Sequence, residues 1–518
     1  MAIQSPECYV LEQTRFCPKN PLPYIVYRNV LTPNVTEQTA SELLTKHGGW
    51  ERFGPVWGPV SKRHFHPNVH ECYDLRQLHR KYGNAVRWSP DHITFTTSEA
   101  WKTIYGHKHG QFPKYNSSEQ LEPQSNILFA DDANHARIRR GVSHAFSPKA
   151  LAEQEPLIYE YVDKLVWRLS DVAESRMPTE MGRWFHIASF DIVGDLTFGE
   201  SLGGLDNNEL HYVVTHVLLF IERAKKLFEL NSLLGPLRWI VMPIIARDAE
   251  KGFRDMFTYT RSAVQRRIDI DGELDRRDFM QGLLRGKDEK LISSMEEIIT
   301  NANTIFVAGS DTTATLMTAA TFYLLSTPEA YKRAVAEVRS AFQSAAEINF
   351  TNATARLPYL LAVLNETFRL YPPVPSVNER MVPDTGEKIY VEDYYLPPHT
   401  CVGVHHSSAG LSESNFAQPE SFIPERWLPE VAQDPASPFH ADKRDAIQPF
   451  SYGPRNCVGK HLAYNEMRVI MARLLWEFDM TLDKSSLKWT TPYSEHKSWT
   501  IWKKPTLVVH IKKRQFQT

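Results

Sequence analysis

A cysteine near the C-terminus stands in a spacing that suits metal ligation. Residues 450–459 read FSYGPRNCVG, with Phe450, Gly453, Arg455, Cys457 and Gly459 at its marked positions. Glycines let the backbone bend closely under a flat ligand, and an arginine can pair with an anionic group. A cysteine at the start of a helix is favoured as thiolate, the form that binds metals. These are the requirements of a cysteine that ligates a haem iron, whereas a lone cysteine is more often a small buried hydrophobe.

A polar run, AGSDTT at residues 308–313, interrupts an otherwise apolar predicted helix. Glycine costs about 1 kcal/mol relative to alanine in a helix, so the run needs a compensating reason. The hydroxyl of Thr312 can bond the carbonyl of Ala308, bend the helix and leave a groove beside it. Ser293 followed by Glu296 predicts a capping box at the start of this helix. Taken alone, Asp311 and Thr312 would equally suit a helix irregularity or a satisfied polar cluster.

Two further pairs of charged residues have helical spacing. Glu366 and Arg369 share one helix face of the segment LPYLLAVLNETFRL. They form either a surface ion pair or a buried pair, and a buried pair must offset the cost of removing both charges from water. His135 and Arg139 lie four residues apart and can point together at an anion. A solvated basic helix face is the alternative for this second pair.

The elements that must position these residues are mostly helices. Apolar periodicity typical of helices dominates residues 145–345, and β-like segments appear after residue 373 and in TLVVHIKK at the end. Residues 1–50 show weak periodicity and several prolines, so we predict an irregular N-terminal arm followed by one domain over residues 51–518. The predicted class is mainly α with small β-sheets.

Composition limits the functional classes. The 518 residues carry 59 Lys plus Arg against 61 Asp plus Glu, which gives no basic excess for nucleic acid. The five cysteines show no CxxC spacing, so neither a zinc cluster nor a disulfide framework is expected. No signal peptide or membrane span is evident. We therefore expect a cytoplasmic protein, or one that touches the endoplasmic reticulum only peripherally.

The motifs together resemble the cytochrome P450 family over roughly residues 55–515. The resemblance implies the cytochrome P450 fold, with haem b between a kinked distal helix and the proximal cysteine loop. It implies that Cys457 is the axial iron ligand, that Phe450 packs beside the thiolate, and that Gly453 and Gly459 let the backbone bend. His135, Arg139 and Arg455 would bind the haem propionates, and Asp311 and Thr312 would form the proton relay. Glu366, Arg369 and Arg426 would form a structural cluster. Arg380 matches a second propionate partner only loosely.

The resemblance also implies a reaction and partners. A member would be a monooxygenase that uses O₂, electrons from an NADPH-cytochrome P450 reductase and a hydrophobic small-molecule substrate, and it would act as a monomer. The segments PERWL and WTIWKKPTLVVHIKK look most like fungal members that tailor secondary metabolites. Two alternatives stay open: a haem-thiolate isomerase or dehydratase that needs no external electrons, and a non-catalytic haem sensor.

Overall fold

Helices dominate the chain, which confirms the predicted mainly α class. The computed structural model describes residues 71–89, 91–107, 111–115, 126–219, 247–270, 278–292, 294–490, 496–498 and 501–515. The predicted arm over residues 1–50 and the boundary at residue 51 lie outside this part. None of the described helices combines the length and the apolar character needed to cross a bilayer.

The described helices are numbered in chain order. Their bounds are Glu71–Tyr82 (α1), Ser98–Tyr105 (α2), Asp132–Ser143 (α3), Pro148–Ser175 (α4), Met181–Phe198 (α5), Gly204–Asn207 (α6), Arg247–Asp269 (α7), Phe279–Asp288 (α8), Met295–Ser326 (α9), Pro328–Ala341 (α10), Phe350–Arg356 (α11), Pro358–Leu370 (α12), His406–Gly410 (α13), Pro429–Ala432 (α14) and Lys460–Glu477 (α15). Residues 212–219 are also helical.

The strands form small separate sheets. Their bounds are Ala85–Ser89 (β1), His92–Phe95 (β2), Thr179–Glu180 (β3), Arg380–Met381 (β4), Ile389–Val391 (β5), Tyr394–Leu396 (β6), Cys401–Val404 (β7), Phe478–Leu482 (β8), Lys497–Ser498 (β9), Trp502–Lys503 (β10) and Val508–Lys513 (β11). The largest sheet has the order β1-β2-β7-β4, in which only β2 and β7 are parallel. A second sheet, β3-β11-β8, joins the start of α5 to the end of α15.

The long helix α9 forms the centre of the core with α5. The ring of Phe306 lies 5.3 Å from Phe190 and 5.2 Å from Phe198. A Cβ added at Gly309 would lie 3.2 Å from Val193, so the glycine favours close packing of the two helices. The polar run reduces helix stability little, because its hydroxyl groups donate to carbonyl groups four residues back. One of these is the predicted bond from Thr312 Oγ1 to Ala308 O, at 2.7 Å.

The start of α9 corrects one prediction. The N-cap is Ser294, whose hydroxyl accepts a hydrogen bond from Glu297 N at 3.2 Å, and not Ser293. The carboxylate of Glu297 does not turn back to the cap, because Arg137 Nη2 donates to it at 2.7 Å. The predicted capping box is therefore wrong, and this end of the helix is fixed to α3 instead.

One carboxyl group is buried between α5 and α15. Ser189 Oγ donates to Glu466 Oε1 at 3.2 Å, and Glu466 is 1% exposed. Burial raises the pKa of Glu466 from its ordinary 4.5 to about 8. At neutral pH this group is therefore held as the neutral acid in the folded protein.

A Glu466→Gln substitution tests this assignment. The folded-state pKa lies above the unfolded one, so the stability that Glu466 contributes at acidic pH is lost as pH rises toward 8. We expect wild-type protein to lose about 2 kcal/mol more unfolding free energy than Glu466→Gln between pH 6 and pH 8, measured by denaturant titration. The exposed Glu430→Gln serves as control. Equal pH dependence in wild type and Glu466→Gln would contradict the neutral acid.

Candidate active site

The cysteine loop is fixed by backbone contacts that need glycine. Cys457 N donates to Phe450 O at 2.8 Å, which closes the loop. Gly453 has φ +73°, and a Cβ there would lie 1.9 Å from Tyr105 O, so no other residue fits. A Cβ at Gly459 would instead lie in ordinary contact with Phe146 at 3.8 Å and with Cys457 Sγ at 3.9 Å. Gly453 therefore docks the loop on α2, whereas Gly459 is not required by close contacts.

Cys457 is accessible although protein atoms surround it. Its surface is exposed, yet burial among protein atoms raises the pKa of its thiol. A thiol at the edge of an internal cavity would account for both observations. The N–H of Gly459 and the cations Arg139 and Lys460 lower the pKa but do not outweigh burial. The helix-start position alone therefore does not give the thiolate that the sequence predicts.

The ring of Phe450 packs on the helix side of the loop. It lies 5.1 Å from Phe368 on α12 and 5.2 Å from Tyr464 on α15. These edge contacts join the loop to the two helices that flank it. Phe450 thus supports the loop from the side.

The opposite wall of such a cavity is visible on α9. Ala308 is exposed and Ile305 and Thr312 are half-buried, although Phe306 and Asp311 between them are buried. Spacings of three and four residues place the accessible positions on one face. Farther along, α9 meets α15 where Thr321 Oγ1 lies 3.9 Å from Met471 Sδ. An accessible stripe on a core helix is what a ligand cavity between α9 and the cysteine loop would produce.

A cluster of basic side chains lies beside the cysteine loop. Arg455 donates to Asp132 Oδ1 at 2.8 Å and to Ala130 O at 2.7 Å. Its Nη1 is buried and has no hydrogen-bond partner within the described ranges. Arg139 donates to Asn456 Oδ1 at 2.6 Å, directly before Cys457. We call the following residues the cation cluster: Lys114, His135, Arg139, Arg380 and Arg455.

The members of the cation cluster repel one another. Burial, together with Arg455, Arg139, Lys114 and Arg380, lowers the pKa of His135 to about 3. Burial, Arg380 and Arg455 lower the pKa of Lys114 to about 7. Burial also lowers the pKa of Arg380. The cluster would accept one or two carboxylates, and this fits the propionates of a haem.

Lys114 was not identified from the sequence, because the stretch QFPKYNS has no helical or strand periodicity that relates it to α3. Its backbone forms a bridge with Arg380, which brings it into the cation cluster. Its ammonium group donates to Leu128 O. Lys114 thus joins two segments that are distant in sequence.

A second polar centre is buried behind the cysteine loop. Arg369 donates to both carboxylate oxygens of Glu366, at 2.6 and 2.8 Å, and Arg426 Nε donates to Glu366 Oε1 at 3.1 Å. All three side chains are fully buried. Burial would raise the pKa of Glu366, but Arg369 and Arg426 outweigh it and keep the pKa below its usual value. Asp442, which the sequence did not indicate, pairs with Arg426 and balances the second arginine.

This centre also anchors irregular backbone. Arg369 donates to Gly410 O and Pro419 O, both at 2.6 Å, and to Ser421 O at 2.9 Å. The indole of Trp427 donates to Glu366 Oε2 at 2.9 Å. The Glu366 centre therefore connects α12 to the long irregular segment that precedes the cysteine loop.

Asp311 points into a buried ionic contact next to Thr312. Its Oδ1 lies 2.9 Å from His186 Nε2 on α5 and 3.1 Å from Lys504 Nζ. Burial would raise the pKa of Asp311, but Lys504 and His186 outweigh it and hold the pKa far below its usual range. Lys504 Nζ also donates to Thr315 Oγ1 at 2.6 Å. The sequence did not indicate either His186 or Lys504.

Comparison with known proteins gives a consistent family match. The model of the family "Cytochrome P450" matches residues 49–509. The cytochrome P450 monooxygenase olcB of Penicillium canescens is 44% identical, over 85% of this chain and 88% of that protein. The trichothecene C-4 hydroxylase of Trichoderma arundinaceum is 41% identical, over 85% and 86%. The versicolorin B desaturase stcL of Emericella nidulans is 38% identical, over 86% and 88%.

A Glu366→Gln substitution tests the buried centre. It removes the charge that compensates Arg369 and Arg426, so we expect a loss of about 3–5 kcal/mol of unfolding free energy. Denaturant unfolding followed by circular dichroism measures it. Glu296→Gln, which breaks the exposed pair with Arg261, should stay close to wild-type stability. A Glu366→Gln variant as stable as Glu296→Gln would show that the buried centre is dispensable.

Proposed function

This chain belongs to the cytochrome P450 family and is a monooxygenase with a haem-iron cofactor, and from this premise we propose its more specific function. The cofactor is haem b, the electron donor is an NADPH-cytochrome P450 reductase, and the substrate is a hydrophobic small molecule of a fungal secondary-metabolite pathway. The observation that carries the proposal is the accessible Cys457, which follows directly after Asn456, the partner of Arg139 in the cation cluster.

The residues present fit the cofactor in two ways. Cys457 Sγ offers the iron ligand, and Cys457 is accessible. The buried Nη1 of Arg455 and the mutually repelling cation cluster supply donors for two carboxylates. When bound, the haem supplies the activation of O₂ and the insertion of one oxygen atom into the substrate. The protein itself positions the cofactor, the substrate and the protons.

Apolar accessible positions support a hydrophobic substrate. Ala308 and Ile305 face the proposed cavity from α9, and Val374 and Val377 after α12 are half-buried. Pockets lined mainly by apolar side chains with few polar groups suit hydrophobic small molecules. The family resemblance also implies pocket-lining residues within 211–240, and residues 220–240 of that stretch lie outside the described part of the chain. The named hydroxylase and desaturase relatives support hydroxylation or desaturation at a carbon centre of such a molecule.

We place reductase docking on the surface around the cysteine loop. Lys460 and His461 are exposed directly after that loop, and Arg140 is exposed on the neighbouring α3. A basic surface attracts an acidic partner and orients it by charge. The proposal includes a monomer that works in the cytoplasm or on the surface of the endoplasmic reticulum.

Hydrogen-bonding groups surround Asp311 on α5 and α9. His186 Nδ1 lies 2.7 Å from Gly182 O, and His186 Nε2 lies 2.9 Å from Asp311 Oδ1. Lys504 Nζ donates to the same carboxylate oxygen at 3.1 Å. We propose that this network positions Asp311 to relay protons toward the hydroxyl of Thr312. Thr312 Oγ1 is partly accessible in the same stripe as Ala308.

The iron ligand is tested spectroscopically. Cys457→Ser should abolish the red-shifted Soret band of the reduced carbon monoxide complex, because serine oxygen does not donate charge to iron as thiolate does. Cys401→Ser, at the other described free cysteine, should retain the band. An unchanged band in Cys457→Ser would exclude Cys457 as ligand. Product formation by the wild type without NADPH would instead favour an isomerase or dehydratase.

The proton path is tested by coupling efficiency. Thr312→Ala removes the accessible hydroxyl, so we expect several-fold more hydrogen peroxide per NADPH consumed and correspondingly less product. Thr318→Ala is the matched control, because Thr318 makes the same type of bond to Ala314 O, at 2.6 Å, in a buried part of α9. Normal coupling in Thr312→Ala, or equal uncoupling in both variants, would contradict a specific role for Thr312.

A further inference from the structure

Metal-ligating side chains converge on the β1-β2-β7-β4 sheet, apart from the cysteine loop. His92, Glu379 and Cys401 each offer one donor atom, and these atoms lie within 4.8 Å of one another. His92 Nε2 lies 3.6 Å from Glu379 Oε1. We propose that these three residues form a binding site for a thiophilic divalent ion of the Zn²⁺ type. The ligands would be His92 Nε2, a carboxylate oxygen of Glu379 and Cys401 Sγ.

The site is built on hydrogen-bonded strands. His92 on β2 and Cys401 on β7 are directly paired across the parallel register. Cys401 is also paired with Met381 on β4, two residues after Glu379. Cys401 N donates to Asp91 O at 2.7 Å, which fixes the residue next to His92. Ligands on paired strands keep their separation better than ligands on loops.

The distances suit zinc after small side-chain rotations. Tetrahedral Zn²⁺ with bonds of about 2.0–2.3 Å places its ligand atoms about 3.3–3.7 Å apart. The His92–Glu379 separation already lies in this range. Imidazole and thiolate donors select zinc-type ions over Mg²⁺ and Ca²⁺, which prefer oxygen. A water molecule would complete the fourth position.

Asp91 orients the imidazole for this role. Its Oδ1 lies 2.7 Å from His92 Nδ1 and accepts from Ser89 Oγ at 3.0 Å. When Nδ1–H donates to Asp91, the lone pair of Nε2 points to the Glu379 side, as in carboxylate–histidine–zinc arrangements. Asp91 therefore orients His92 and does not need to bind the ion directly.

Access and charge are compatible with an ion. The side chain of Asp91 is 58% exposed and that of Glu379 is 28% exposed, so an ion can enter from solvent. Cys401 is 1% exposed and forms the inner ligand. On binding, the Cys401 Sγ–H bond breaks, the proton leaves to water and sulfur bonds to the ion without electron transfer. Asp91 and Glu379 supply further negative charge, and Arg87 faces Asp91 as a counter-cation.

Glu379 connects this metal site to the haem region. Arg380, a member of the cation cluster, follows it directly and donates to Glu379 O at 3.0 Å. Neighbouring strand residues point to opposite faces of a sheet. The side chains of Glu379 and Arg380 therefore point to opposite faces of the sheet. An ion bound to Glu379 would hold the backbone that positions Arg380 in the cation cluster.

Zinc loading of the haem-containing protein tests the proposal. Reduced protein is treated with a chelator, incubated with ZnCl₂ and dialysed, and zinc and iron are measured by mass spectrometry. We expect one zinc per haem iron, with one sulfur neighbour at about 2.3 Å in zinc-edge X-ray absorption. Cys401→Ser should abolish the sulfur neighbour and weaken zinc binding at least 100-fold. Asp91→Asn should weaken it 10–100-fold.

Two controls make the result specific. His510→Gln removes another histidine that pairs with an aspartate, at the surface between β11 and the end of β8, and should leave zinc binding unchanged. The reduced carbon monoxide band should persist in every variant, which shows an intact fold and an undisturbed Cys457. No stoichiometric zinc, zinc with only nitrogen and oxygen neighbours, or equal affinity in Cys401→Ser would overturn the proposal.

Discussion

The structure depends on a collection of basic side chains that the protein neutralises only in part, through the pair of Arg455 with Asp132. The cation cluster draws on the segment around Lys114, on α3, on the strand at Arg380 and on the cysteine loop, and burial and mutual repulsion lower the pKa values of several of its members. Burying cations without compensation is unfavourable. An anionic cofactor beside Cys457 would remove this cost, and its binding would then be coupled to the folding of this region.

The remaining architecture holds the two sides of that site in place. On the cysteine side, the Glu366 centre carries balanced charges and binds carbonyl groups of otherwise irregular backbone. On the other side, α9 is fixed to α5 by aromatic contacts, by close approach at Gly309 and by the ionic contact of Asp311. Ion pairs thus support both walls.

Features with local spacing could be predicted from the sequence. The cysteine loop, the helix that follows it and the bond from Thr312 to Ala308 depend on residues within a few positions of one another, so their pattern is visible in the chain. The start of α9 was placed one residue early, because Ser293 and Ser294 are each followed three residues later by glutamate. The bond from Glu297 N to Ser294 Oγ shows which register forms, and Arg137 holds the Glu297 carboxylate away from the cap.

Partners that are distant in sequence could not be predicted. His186 is 125 residues and Lys504 is 193 residues from Asp311, and neither stands in a motif. The elevated pKa of the Cys457 thiol also depends on burial by several elements and not on its position before α15. Short patterns therefore identified the chemistry, whereas the charge environment that controls it required the fold.

The most direct test of the thiolate ligand is resonance Raman spectroscopy of the ferric holoprotein produced with ³⁴S-labelled cysteine. A bond between iron and Cys457 Sγ predicts an iron–sulfur stretching band that shifts to lower frequency with the heavier isotope. The shift should persist in a Cys401→Ser background, which leaves Cys457 as the described free cysteine. A spectrum without an isotope-sensitive band would contradict the thiolate ligand on which the whole arrangement depends.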